Sequence, residues 1–256
     1  MQKAHRIVLM LSIVSMLVIT LVGPSQFAQG QVVIQSNSPS SMMEEEKVFQ
    51  PMSKPYNLTY GEWTARWWQW AYSIPKEMNP AYDDTGKYCS VNQRGPVWFF
   101  PGTYGKSVTR ECTVPIGKSI LFPILNSECS FAEFPDLKTV EELKMCANTF
   151  QDQVIQLYAS IDWQDIPEKE LEKNHLQSPA FYFKLPGDNI LDLPANTTTK
   201  AVSDGNWVFV KPLSPGKHEI SFRGGVNVTS NADNSTKSFA FPTGWDYNTT
   251  YNLLIE

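Results

Sequence analysis

CSVNQRGPVWFFPGTYGKSVTRECTVPIGKSILFPILNSEC, residues 89 to 129, holds three of the four cysteines and two strongly apolar runs, Val97–Phe100 and Ile120–Leu125. Gly95, Pro96, Pro101, Gly102, Pro115 and Gly117 bound those runs. Short apolar runs bounded by Gly and Pro are buried strands. The stretch therefore predicts a disulfide-stapled β core, with strands near 96–101, 109–114 and 119–125. It carries no catalytic signature.

The four cysteines, Cys89, Cys112, Cys129 and Cys146, are spaced by 23, 17 and 17 residues. No C-x-x-C pair or neighbouring His accompanies them, so zinc is a poor fit and disulfides fit better. Of three possible connectivities, Cys89–Cys112 with Cys129–Cys146 is favoured, because sequential pairs close short loops between neighbouring elements. Each bridge contributes about 2–4 kcal/mol.

Upstream, Lys3, His5 and Arg6 precede an uncharged apolar run from Ile7 to Gly23, and Ala28 and Gly30 follow at signal-peptidase spacing. Residues 1–30 read as a secretory signal peptide; an uncleaved N-terminal anchor is the alternative. Membrane contact is then expected only through this segment, if it is retained. Without it, 19 basic residues stand against 26 acidic ones, a net charge of −7. That balance argues against a nucleic-acid partner, since phosphate is held by clustered Lys and Arg. Five Asn-x-Ser/Thr sequons, at Asn57, Asn196, Asn227, Asn234 and Asn248, suggest an exported glycoprotein.

Residues 31–55 lack apolar periodicity and read as a disordered spacer. Residues 56–256 read as one domain. Thr59-Tyr60-Gly61-Glu62 and Thr139-Val140-Glu141-Glu142 have the form of capping boxes, predicting helices over about 59–73 and 139–153. On the first, Tyr60, Trp63, Trp67, Trp70 and Ala71 share a face. That stripe either packs on the sheet or, with Trp98, makes a platform for sugar rings. A strand is expected over 155–163, and strands separated by turns follow, one turn being Ser203-Asp204-Gly205-Asn206. The fold class is mainly β: an antiparallel β-sandwich or jelly roll with two helices packed on it.

Hydrolase, zincin, dinucleotide and P-loop motifs are absent from the sequence, and no cofactor is implied. His175 is expected to face solvent and His218 to be a core imidazole. Asp83 and Asp84 are candidate Ca²⁺ ligands or simply a loop. Arg110 and Glu128 lie inside the apolar stretch; an Arg–Glu pair on adjacent strands would fix register. Glu128 beside Asp84 or Glu133 would supply the two carboxylates of glycoside hydrolysis.

Arg110-Glu111-Cys112-Thr113-Val114-Pro115-Ile116-Gly117-Lys118, with Phe122-Pro123, Asn126 and Glu128-Cys129, resembles an exported family of unknown function found in archaea and bacteria. Pro212–His218 and Trp67-x-x-Trp70 fit the same pattern. The resemblance covers roughly residues 60–225 and implies an exported single-domain protein without bringing an activity. Two functions are therefore expected of this chain. One is a secreted or cell-surface module that binds a glycan or an envelope component without catalysis, with Trp63, Trp67, Trp98 and Arg110 as contact residues. The alternative is an extracellular glycoside hydrolase using Glu128 and a nearby Asp.

Overall fold

A computed structural model describes residues 46–103, 106–226, 245–246 and 248–256. The leader, most of the spacer, Asn227 and Asn234 lie outside the described residues. In chain order the strands are β1 (Val97–Phe99), β2 (Val108–Val114), β3 (Ser119–Ser130), β4 (Val154–Ile161), β5 (Gln164–Asp165), β6 (His175–Gln177), β7 (Phe181–Lys184), β8 (Thr198–Val210), β9 (Gly216–Val226), β10 (Trp245–Asp246) and β11 (Thr249–Ile255). The α-helices are α1 (Tyr60–Tyr72), α2 (Val140–Gln151) and the short α3 (Glu168–Lys173). Both predicted helices form, and both capping boxes close, Thr59 with Glu62 and Thr139 with Glu142.

Two sheets pack face to face. One runs β1-β3-β8-β6, with β7 also on β8; the other runs β2-β11-β9-β4-β5, with β10 on β9. The sandwich matches expectation, with one refinement: β1 pairs with β3, and β2 with β11, in parallel. The chain leaves β1, enters the second sheet as β2 and returns as β3. Such a crossover brings two strands of one sheet into parallel register.

Between the sheets, Phe122 stacks on Phe222 and Phe100 on Tyr251, with centroids 4.5 Å and 4.0 Å apart. The opposite face of the first sheet is covered by α1, whose Trp63, Trp67 and Trp70 join Phe99, Trp207 and Phe209 in a second core. At its far end the inter-sheet face is closed by α2 instead, where Leu143 and Ala147 meet Cys129 and Val202. Disulfides join Cys89 to Cys112 and Cys129 to Cys146, the connectivity favoured by spacing. The second clamps α2 onto β3.

Three expectations are corrected. The expected turn at Ser203–Asn206 is continuous strand in β8. Asp204 there accepts from Gln177 Nε2 at 3.0 Å and bonds His175 Nε2 at 2.5 Å, and Asn206 Nδ2 donates to the Leu171 carbonyl at 3.2 Å. Those partners outweigh local turn preference. Next, the end of the supposed spacer belongs to the domain: Phe49 N–H donates to the Phe209 carbonyl and Lys211 N–H to the Lys47 carbonyl, both at 2.8 Å. Finally, β4 stops at Ile161 rather than reaching 163. Ile161 pairs with Gln164, leaving Asp162 and Trp163 as a two-residue turn with φ of 53° and 61°. Positive φ at both positions is the type I′ hairpin geometry. Without Asn-Gly, the turn gave no signal in the sequence.

Candidate functional site

The expected contact residues are interior. Trp63, Trp67 and Trp98 are buried, so the aromatic stripe is core and not an open sugar platform. Trp63 Nε1 donates to the Pro55 carbonyl and Trp67 Nε1 to the Phe100 carbonyl, at 2.8 and 2.9 Å. An unpaired donor in the core is costly, and these two indoles have theirs satisfied, whereas Trp98 Nε1 has no partner among the described residues.

Arg110 is 1% exposed and makes no pair with Glu128. It lies on β2 in the second sheet, whereas Glu128 lies on β3 in the first. Its Nε donates to the Asp83 carbonyl at 2.6 Å and its Nη2 to the Ala81 carbonyl at 3.3 Å. Its Nη1 reaches the Pro101 and Gly102 carbonyls at 3.1 and 3.0 Å and the Tyr251 hydroxyl at 2.8 Å. The guanidinium is thus a cross-link between two loops and β11, built from carbonyl acceptors and not from a carboxylate. Beside it, the Tyr251 phenol is pushed up to about 12, chiefly by burial.

The supposed Ca²⁺ ligands are otherwise engaged. Asp83 Oδ1 accepts from the Thr85 N–H and hydroxyl at 2.9 and 2.8 Å, and Oδ2 from the Tyr88 N–H at 2.9 Å. Asp84 pairs with Lys106 at the surface. Neither shares a site with Glu128.

Glu128 meets the other proposed partner, Glu133. It is buried under α1, its Oε2 accepting from the Tyr72 hydroxyl at 2.7 Å. Its carboxyl is hydrogen-bonded to that of Glu133, which in turn accepts from Ser130 Oγ at 2.5 Å. Carboxyl-to-carboxyl bonding exists only while one group keeps its proton. Burial, first, and the charge and hydrogen bond of Glu133, second, hold Glu128 well above the usual carboxylate range. Burial likewise raises Glu133. A glycosidase keeps its carboxyls about 5–9.5 Å apart, leaving space for the sugar and water. Two in direct hydrogen bond leave none.

The raised pair links stability to pH. In the unfolded chain a Glu titrates near ~4.3; in the folded protein the pair releases its shared proton at higher pH. Its stabilising contribution is complete below the unfolded value and is lost as pH rises through the folded one. Urea unfolding from pH 4 to 8 should show wild type losing stability relative to Glu128→Gln, whose neutral amide still accepts from Tyr72. Parallel curves for the two proteins would show that no proton is shared.

An Asp–His–Ser set lies at the end of β9, unforeseen from sequence. His218 Nδ1 is 3.0 and 3.1 Å from the Asp162 carboxylate oxygens, and Nε2 is 3.3 Å from Ser214 Oγ. Nε2 is closer still, 2.9 Å, to the Ser214 carbonyl. The ring thereby clamps the Asp162 carboxylate to the Ser214 backbone, tying the β4–β5 turn to the loop before β9. Asp162 also accepts from the Glu219 N–H and Lys47 Nζ, each at 3.1 Å. Burial pushes its carboxyl up, but the bonds from His218, Glu219 and Lys47 prevail and hold it below the usual range. The clamp fixes the turn that carries Trp163, which is 77% exposed. His175, by contrast, has the partly exposed ring expected of it; its bond to Asp204, chiefly, raises its pKa.

No known family model matches the chain, and no curated protein matches it. Among solved structures, a cysteine protease inhibitor from Entamoeba histolytica aligns at 8% identity over 62% of this chain and 96% of that one. Its TM-score is 0.22, too low to carry a fold or an activity across.

Proposed function

We propose that this protein is a secreted or cell-surface binding module, glycosylated and non-catalytic, that recognises a glycan or another envelope component. The observation that carries the reading is Trp163, held in water at the tip of a hairpin whose turn is locked by Asp162, His218 and Lys47. An exposed indole on a fixed turn offers a large apolar face at little entropic cost, the property of a contact anchor. Two disulfides are consistent with an extracellular setting, as are the apolar leader and the resemblance carried by Arg110–Lys118. Asn57 and Asn196 are exposed, as glycan acceptors need to be, whereas Asn248 is half-buried and bonded to Ser221 and Thr250.

The experiment is a glycan array together with a pull-down from cell envelope, comparing wild type with Trp163→Ala. Retention by wild type should fall at least tenfold in the variant, with thermal stability unchanged because the ring is exposed. Wild type retaining no ligand, or the variant binding equally well, defeats the reading.

A further inference from the structure

His218 stands near the start of β9 with its side chain 11% exposed, and its two nitrogens meet different company. Nδ1 faces the Asp162 carboxylate and donates to it. Nε2 faces an acceptor, the Ser214 carbonyl at 2.9 Å, and also a group able to donate, the Ser214 hydroxyl at 3.3 Å. An imidazolium donates from both nitrogens, whereas a neutral imidazole donates from one and accepts at the other. The charged ring therefore matches the carbonyl, and the neutral ring matches the hydroxyl. Without its second proton, Nε2 would present a lone pair to the carbonyl oxygen. The loop before β9 must then shift for the hydroxyl to take the carbonyl's place.

The surroundings leave the ring as the group that switches. Imidazole is the side chain whose charge ordinarily changes between pH 5 and 8. Asp162 stays a carboxylate there: burial acts against this, but its bonds from His218, the Glu219 N–H and Lys47 prevail. Lys47 Nζ, 3.1 Å from Asp162, is the other charged group in the cluster. On β11 His218 is opposite Leu253, which carries no charge. Lys217 and Glu219, its neighbours in β9, project to the opposite face.

What the ring holds in place is the turn that carries Trp163. Asp162 and Trp163 both have positive φ, a backbone state that persists only where its surroundings hold it. The Asp162 N–H donates to the Glu219 carbonyl at 2.8 Å, and the Lys211 N–H to the Lys47 carbonyl. The turn, the loop 211–216 and the segment around Lys47 thus meet at one imidazole. We infer that His218 is an acid-closed latch on the Trp163 turn. As imidazolium it bridges the Asp162 carboxylate to the Ser214 carbonyl and fixes the turn. As neutral imidazole it turns to the Ser214 hydroxyl, loses the ion-pair component of its bond to Asp162 and frees the loop 211–216. Capture of a ligand by Trp163 is then stronger in a mildly acidic medium. The inference rests on the binding role proposed above for Trp163, but the latch itself is read without any ligand.

Nitrogen-15 NMR of the imidazole ring from pH 5 to 8, with hydrogen exchange over residues 211–219, tests the latch on the ligand-free protein. The His218 signals, identified by their loss in His218→Gln, should pass from imidazolium to the tautomer protonated on Nδ1. Protection of residues 211–216, corrected for intrinsic exchange, should fall at least about threefold over the same range, and His218→Gln should show no such fall. Ser214→Ala removes the hydroxyl but keeps the carbonyl. It disfavours the neutral ring and should move the titration midpoint up by about half a pH unit or more. Where wild type retains a ligand, retention should be at least about threefold stronger at pH 5.5 than at pH 8, and equal at both in His218→Gln. A neutral ring protonated on Nε2, a midpoint unmoved in Ser214→Ala, or ligand retention indifferent to pH overturns the latch. The NMR switch without any retained ligand supports the latch and defeats only the binding role of Trp163.

Discussion

Arg110→Ala should destabilise the protein by about 3–5 kcal/mol, the range for deleting one member of a buried charged network. The guanidinium holds the carbonyls of Ala81, Asp83, Pro101 and Gly102 and the Tyr251 hydroxyl, and Ala leaves them buried without a donor. It also removes the cation from the Tyr251 ring, 5.4 Å away. For a chain of this size the loss corresponds to a fall in Tm of roughly 10 °C. Arg110→Lys should recover little, because a point charge cannot span acceptors arranged for a planar fork. Urea denaturation with disulfides intact measures both. An Arg110→Ala protein that melts like wild type yet has lost its ligand would return Arg110 to the binding residues.

Gly86→Ala should cost at least about 3 kcal/mol and lower the yield of folded protein. Gly86 sits at φ of 90°, and a Cβ there would lie 2.0 Å from the Glu111 carbonyl oxygen. The obstacle is backbone, so no side chain can turn aside. The Thr85 carbonyl accepts from the Glu111 N–H at 2.9 Å, and Cys89 is bonded to Cys112 next to it. The Asp83–Gly86 loop is therefore pressed flat on β2 between a ladder-like hydrogen bond and a disulfide. Limited proteolysis within residues 80–90, alongside Tm, reports the effect; a variant within 1 kcal/mol of wild type would show that the loop can lift away.

Both variants bear on how far the amino-acid order could be read. The Asp-Asp-Thr-Gly run was legible as a turn, because Gly tolerates positive φ and Asp bonds its own backbone; that β2 lies beneath it was not. Arg110 was legible as an unusual charge in an apolar stretch. Its acceptors are carbonyls of loops up to 29 residues away, and a carbonyl has no residue type to signal it. The carboxylate pairing expected for Arg110 failed because its strand and that of Glu128 belong to different sheets.

Helix caps, buried strands, sandwich class and sulfur pairing were set by local chemistry: capping boxes, turn-bounded apolar runs and short cysteine spacings carry their meaning over a few residues. Tertiary structure alone decided which polar groups meet. It ran β8 straight through an apparent turn, placed Glu128 against Glu133 under Tyr72, and turned Trp163 outward on a hairpin without glycine. Each depends on long-range partners that outweigh local preference by a few hydrogen bonds, and such partners are fixed only when the sheets close.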